Sequence, residues 1–191
     1  MRLPVAVFPI LLAASAASAE PQVTGFKNEY LDDFNTTSKQ LIQLAEAVPD
    51  AKYGWRPGDG VRSVSEVYVH IAAGNFLLLG VTGVKPPADY FLPTGATGKD
   101  AVQAVLAQMQ KLEKTVTKKD DVVKMLKASL DSVRDHFSSA TAADLDQPVE
   151  FFGQKTTVRR IYLRIIAHVN EHYGQSIAYA RVNGIKPPWS N

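Results

Sequence analysis

Three of the four histidines in this 191-residue sequence occupy positions where their side chains could act together. His168 and His172 lie four residues apart, which on a helix places both imidazoles on one face at about 6 Å, a separation that suits two ligands of one metal ion. Both fall on the apolar stripe of a predicted helix, and His70 falls on the stripe of an earlier helix, where Gly74 leaves space beside it. Buried imidazoles without partners cost free energy, so the pattern predicts three neutral nitrogen ligands around a divalent ion with one open position.

Two other interpretations of these histidines remain open. A core histidine is usually hydrogen-bonded within the protein and binds nothing, which would make all three purely structural. The segment from His168 to His172 also matches the H-x-x-E-H pattern of inverted zinc peptidases, with Glu171 as the general base. No Asp or Glu follows Glu171, so the usual downstream third ligand of such a peptidase is missing. The fourth histidine, His136, lies beside the stripe of its helix and is predicted to be a rim or surface residue.

The composition limits the classes of chemistry that the chain can perform. It contains no cysteine, which excludes disulfide scaffolds, iron–sulfur sites, cysteine-based zinc fingers and cysteine nucleophiles. The 21 Lys and Arg residues are nearly balanced by 19 Asp and Glu residues, with a formal net charge of +2. Nucleic acid is therefore not an expected partner, because binding phosphates needs a basic face.

The N-terminal segment has the pattern of a secretory signal. A short positive start is followed by the entirely apolar residues 3–14 and by small residues at 17–19. We expect cleavage after residue 19, a secreted or periplasmic location, and a single mature domain over residues 20–191. The apolar run is shorter than the roughly 20 residues of a membrane helix, so no membrane span is predicted once the signal is removed.

Apolar residues recur at helical spacing through most of the mature chain. The spacing predicts helices over residues 26–48, 63–81, 101–116 and 156–182, and another after 121 that continues through Phe137. Residues 117–121 are a predicted break, and residues 148–152 a strand-like crossing segment. Four long helices with one extra short helix and little strand pattern predict an all-α protein, a four-helix bundle.

Several motifs together resemble the DinB-like family of metal-binding four-helix bundles. They are Trp55-Arg56-Pro57-Gly58, Ser63-Val64-Ser65-Glu66-Val67, His70-Ile71-Ala72-Ala73, Asp144-Leu145-Asp146-Gln147-Pro148-Val149, His168-x-x-x-His172-Tyr173-Gly174-Gln175 and Gly184-x-x-Pro187-Pro188. The resemblance covers essentially the whole mature chain. It implies an up-down-down-up bundle, a homodimer, and a nickel or zinc ion held by His70, His168 and His172.

The resemblance says less about the reaction. Characterised relatives include transferases and isomerases that use low-molecular-weight thiols, whereas this chain is predicted to be exported from the reducing compartment. Our leading hypothesis is an exported metalloprotein that acts as a metal-dependent hydrolase or transferase on an unidentified small molecule. The alternatives are a non-catalytic module that binds metal or a small ligand, and a structural dimer. Asn75 and Gln175 are candidate helpers of the histidines, and Trp55 and Tyr173 candidate walls of the pocket.

Overall fold

The computed structural model of the protein describes the backbone of residues 19–87, 90 and 99–190, and the side chains of residues 25–87, 90 and 103–190. The predicted signal, apart from its last residue, lies outside these residues. The described elements are α1 (Ala19–Ala47), a short 3-10 turn (Asp50–Lys52), α2 (Val64–Val81), α3 (Lys99–Thr115), α4 (Lys119–Ser139), α5 (Ala142–Asp146), β1 (Pro148–Phe151), β2 (Gln154–Thr157) and α6 (Val158–Val182).

Helices α1 and α4 run in opposite directions. Lys27, near the start of α1, donates from Nζ to the carbonyl oxygen of Ser138 at the end of α4, over 2.9 Å. At the other end, Glu46 of α1 accepts a 2.6 Å hydrogen bond from Nζ of Lys127 in the first half of α4.

Helices α1 and α6, the first and the last, run in the same direction. Tyr30 and Tyr162 lie in the first halves of the two helices, and their ring centroids are 6.1 Å apart. Further along both helices, the hydroxyl of Tyr173 donates to Oε1 of Gln40. The terminal helices are therefore parallel neighbours.

Helices α2 and α6 are antiparallel neighbours. The carbonyl oxygen of Arg62, just before α2, accepts a 3.2 Å hydrogen bond from the hydroxyl of Tyr179 near the end of α6. Gly74, in the second half of α2, lies against the ring of His168 in the middle of α6. Taken in chain order, α1, α2, α4 and α6 run up, down, down and up, which confirms the predicted all-α bundle.

Helix α3 is the extra helix that this order requires. Because α2 and α4 are parallel, the chain must cross the length of the bundle between them. The C-terminal end of α3 returns to the start of α2, where Lys114 donates a 2.6 Å hydrogen bond to Glu66 in the first turn of α2. The single-turn helix α5 was not predicted.

Helix α2 occupies the centre of the bundle and packs against α3, α4 and α6. Within the described ranges it is the one helix long and apolar enough to cross a membrane, and 78% of that segment is buried inside the protein. A helix that is apolar all round is typical of a buried core element. Its first turn is fixed by a capping box between Ser63 and Glu66.

The largest differences from the predictions concern the starts of α1 and α4 and the extended segment. Helix α1 begins at Ala19, seven residues earlier than expected, and α4 begins at Lys119, inside the predicted break. The predicted extended segment is one arm of an antiparallel hairpin, in which β1 pairs with β2. The hairpin turns at Phe152 and Gly153, both with positive φ.

Candidate metal centre

Three imidazoles meet where α2 and α6 cross. His70 comes from α2, and His168 and His172 come from successive turns of α6. The ring centroid of His70 lies 5.0 Å from that of His168 and 4.7 Å from that of His172, and the two α6 rings are 4.7 Å apart. One nitrogen of each ring lies within 4.8 Å of the other two. The structure thus brings together all three residues that the sequence singled out.

Hydrogen bonds on the outer side of the cluster engage Nδ1 in two of the three rings. Nδ1 of His70 lies 2.8 Å from Oε1 of Glu113, and Nδ1 of His172 lies 2.8 Å from Oε1 of Gln175. Both oxygens are acceptors, so each Nδ1 carries the proton. In a neutral ring of this tautomer, Nε2 keeps the lone pair that a metal ligand requires.

The spacing of the nitrogens fits a transition-metal ion. Nε2 of His168 lies 3.1 Å from Nε2 of His70. Ligand bonds of about 2.0–2.1 Å separate two nitrogens by about 2.9 Å at a right angle and by about 3.3 Å at the tetrahedral angle. Two nitrogen lone pairs repel each other, so this contact needs either a proton on one of the two nitrogens or a cation between the rings. The donor set, and the 3.1 Å separation of the His70 and His168 nitrogens, thus suit a divalent ion.

Gly74 leaves space for the ring of His168, whereas we expected this space to lie beside His70. A Cβ atom at position 74 would lie 2.4 Å from Cε1 and 3.0 Å from Nδ1 of the His168 ring. Carbon atoms in contact are about 3.5–4.0 Å apart, so only glycine fits here with the ring in its present place. Nδ1 of His168 has no hydrogen-bond partner in the described part of the chain.

Burial keeps two of the imidazoles neutral. It lowers the pKa of His168 to about 3, with smaller contributions from the nearby His172 and His70. Burial also lowers the pKa of His172, although the hydrogen bond to Gln175 acts in the opposite direction. Neutral imidazoles are the form that binds metal ions.

Glu113 on α3 is a site residue that the sequence did not reveal. It is 5% exposed, and its two oxygens bind different groups: Oε1 contacts His70, and Oε2 accepts a 2.9 Å hydrogen bond from Nε of Arg62. Burial raises the pKa of Glu113, but the hydrogen bonds from His70 and Arg62 outweigh it and lower the pKa overall. The only sequence signal was its position next to the apolar Leu112.

The other predicted site residues divide into two groups. Gln175 does contact His172, and its Nε2 donates a 3.0 Å hydrogen bond to the hydroxyl of Tyr179. Asn75 does not join the cluster, because it is fully buried and donates to Oγ of Ser129 on α4, which corrects its predicted role as a helper.

Glu171 faces Arg164 on the exposed side of α6, with 3.4 Å between the charged atoms. This placement removes the residue that the peptidase interpretation needed as a base. His136 is exposed, as predicted, and its Nδ1 lies 2.8 Å from the carbonyl oxygen of Ser132 on its own helix.

The two predicted aromatic walls, Trp55 and Tyr173, each pack against another aromatic ring. Trp55 packs edge-on against Tyr179, with ring centroids 5.3 Å apart. Tyr173 packs against Trp189, with ring centroids 5.8 Å apart, and its hydroxyl is directed to α1. Within the described residues, the ring contacts of Trp55 and Tyr173 are with these aromatic residues and not with an imidazole of the cluster.

An up-down-down-up helical bundle with three imidazoles at an internal helix crossing defines the class of this protein. The sequence model of the DinB superfamily matches residues 33–176, and the chain belongs to that superfamily. Comparison with curated protein sequences gives no match.

Solved structures share the fold at low sequence identity. A DinB-like protein from Bacillus cereus ATCC 10987 is 20% identical, with a TM-score of 0.53 over 85% of this chain and 95% of that chain. A DinB-like protein from Bacillus subtilis is also 20% identical, with a TM-score of 0.52 over 83% and 93% of the two chains. The mycothiol-dependent maleylpyruvate isomerase is 14% identical, with a TM-score of 0.58 over 78% of this chain and 59% of that chain. These likenesses establish the fold alone.

Proposed function

We propose that this chain is an exported metalloprotein that binds nickel or zinc through His70, His168 and His172 and catalyses a hydrolytic or group-transfer reaction. The observation that carries the proposal is the approach of the three ligating nitrogens to within 4.8 Å of one another. A purely structural role is less well supported, because within the described residues the only hydrogen-bond partner of His168 is another imidazole. The N-terminal pattern supports export.

The residues around the cluster prepare it for a cation. Glu113 and Gln175 fix which nitrogen of His70 and of His172 carries the proton, and so direct each Nε2 inward. Three neutral ligands leave the charge of a divalent ion uncompensated, so a bound ion would supply Lewis acidity to an anionic or carbonyl group.

A non-catalytic binding module is the second candidate. Among the described residues, the carboxylate nearest the cluster is Glu113, and both of its oxygens are already paired with His70 and Arg62. Glu171 is turned toward Arg164. In the part of the chain that the structure describes, no carboxylate with a free oxygen contacts the cluster to transfer protons, which favours ligand binding without turnover.

Metal analysis tests the proposal. Protein purified without a nickel column is expected to contain about one nickel or zinc ion per chain, and His168→Ala to contain almost none. A chain without bound ion that also takes up none on titration would refute it. Metal-loaded protein and His168→Ala are then compared on ester, amide and thiol-transfer substrates, where equal rates favour the binding module. Sequencing the N-terminus of exported protein tests the expected start at Glu20.

A further inference from the structure

The carboxylate of Glu113 connects Arg62 to the candidate ligand His70. Its Nε donates to Oε2 of Glu113 over 2.9 Å, and the other oxygen of the same carboxylate lies 2.8 Å from Nδ1 of His70. The Arg62 side chain is 39% exposed, so its guanidinium is accessible from solvent. The side chain of Glu113 is only 6% exposed. A positive group that solvent can reach therefore stands beside the metal centre.

The backbone of Arg62 is held in place by the partners of the histidines. The hydroxyl of Tyr179 donates to its carbonyl oxygen over 3.2 Å, and Nε2 of Gln175 donates to that hydroxyl over 3.0 Å. Gln175 also binds His172, so Arg62 connects the partner of His70 with the partner of His172. The backbone of Arg62 is thus linked to His172, and its Nε is linked through Glu113 to His70, before any ligand arrives.

Most of the hydrogen-bonding capacity of Arg62 is unused. A guanidinium carries five N–H donors, and within the described residues only Nε of Arg62 has a partner. Arg56, on the same loop, differs in this respect because its terminal nitrogens bind the carbonyl oxygen of Val61 and the carboxylate of Glu66. Two adjacent terminal nitrogens with free donors match the two oxygens of a carboxylate.

We propose that Arg62 recognises a carboxylate of the molecule that the metal centre binds. Glu113 and Arg62 cancel each other's charge, so the ion supplies the net attraction for an anionic ligand, and the free donors of the guanidinium supply hydrogen bonds to its second acidic group. A small dicarboxylate satisfies both positions, with one carboxylate at the ion and the other at Arg62. This inference rests on the proposed function, because it requires a metal ion at the three histidines.

The test uses cobalt-loaded full-length mature protein, whose visible absorption reports on ligands that bind the ion. Malonate, succinate and glutarate are titrated and compared with propionate, butyrate and valerate, in which a methyl group replaces the second carboxylate. The wild-type protein is expected to bind at least one dicarboxylate about tenfold more tightly than its analogue, as a charged hydrogen bond predicts. Cobalt content is measured for each sample before and after titration.

Variants of the two arginines isolate the effect. The dicarboxylate preference is the Kd of the monocarboxylate divided by the Kd of its dicarboxylate. Arg62→Met is expected to bring this ratio close to one. Arg62→Lys keeps the charge but not the planar pair of donors, so it is expected to leave part of the preference. Arg56→Met is the matched control, because Arg56 lies on the same loop with a similarly exposed side chain at 38%, and it should keep the full preference. Comparing two ligands on the same variant cancels any change in metal affinity.

Each result has one meaning. Absence of a dicarboxylate preference in the cobalt-loaded wild-type protein overturns the inference, as does a preference that Arg62→Met retains. Loss of the preference in Arg56→Met as well overturns it too, because the effect would then belong to the loop. Failure of the wild-type chain to bind cobalt overturns the proposed function instead, and circular dichroism identifies any variant that does not fold.

Discussion

Replacing Gly74 with alanine changes the space available to His168. The added Cβ would lie 2.4 Å from Cε1 of the ring, and an ordinary carbon contact needs about 3.5 Å, so ring and helix must separate by about 1 Å. The ring is buried and contacts His70, so it has little freedom to retreat. We expect weaker metal binding and a loss of stability in the metal-free protein.

The magnitude follows from two opposing effects. Alanine in the interior of a helix is about 1 kcal/mol more favourable than glycine. Overpacking a core costs about 1–3 kcal/mol, so Gly74→Ala should lower the free energy of unfolding by about 1 kcal/mol in the wild-type background. In His168→Ala the clash is absent, and the same substitution should raise the free energy of unfolding by about 1 kcal/mol. The effect of one methyl group therefore changes sign between the two backgrounds.

Urea denaturation in the presence of a chelator measures these differences. Gly174→Ala is the matched control, because Gly174 lies within α6 and a Cβ there would meet nothing within 4 Å. It should stabilise both backgrounds equally, by about 1 kcal/mol. Equal effects of Gly74→Ala in the wild-type and His168→Ala proteins would refute the inferred contact between Gly74 and His168.

Three further predictions concern the surroundings of the site. Glu113→Gln removes the ionised partner of His70 and should weaken metal binding about 10–100-fold. Competition with a chromophoric chelator measures the affinity, and an unchanged affinity would contradict the role of Glu113. Burial raises the pKa of Glu66, but hydrogen bonds from Lys114, the Ser63 backbone and Arg56 lower it to about 2. The ionised Glu66 therefore stabilises the folded protein fully above the unfolded pKa of about 4.3, and this stabilisation is lost as pH falls toward 2. Urea titrations from pH 6 to about 2 should therefore show a weaker pH dependence in Glu66→Gln than in the wild-type protein, and parallel curves would count against this assignment. Nickel or zinc at about 100 times its Kd should raise Tm by about 5–10 °C, an effect that a chelator reverses; an unchanged Tm would favour a structural role for the histidines.

Local sequence spacing was enough to predict the part of the site that lies on one helix. Two histidines four residues apart on a helix must share a face, so the proximity of His168 and His172 follows from sequence alone. His70 was assigned to the same site from its place on the apolar stripe of another helix, and the family resemblance agreed, but its distance from the other two depends on which helices pack together. Glu113 could not be predicted, because α3 crosses from another part of the chain and its approach to His70 is purely tertiary.

The errors have equally local causes. Asn75 is five residues after His70, which on a helix turns it by about 140° away, toward α4. Helix α2 is apolar on every side, so its sequence pattern did not show which face meets which neighbour. The second arm of the hairpin, Gln154–Thr157, lacks apolar residues, and hence the alternation by which a strand is recognised.

The antiparallel contact of α2 with α6 has a consequence for the order in which the protein is made. His70 and His168 are separated by 98 residues, and α6 is the last described helix to leave the ribosome. A nascent chain that ends before α6 contains one of the three histidines, whereas the complete chain contains all of them. The ion can therefore be captured by the full set only after synthesis of α6, in whichever compartment the last helix docks onto the second.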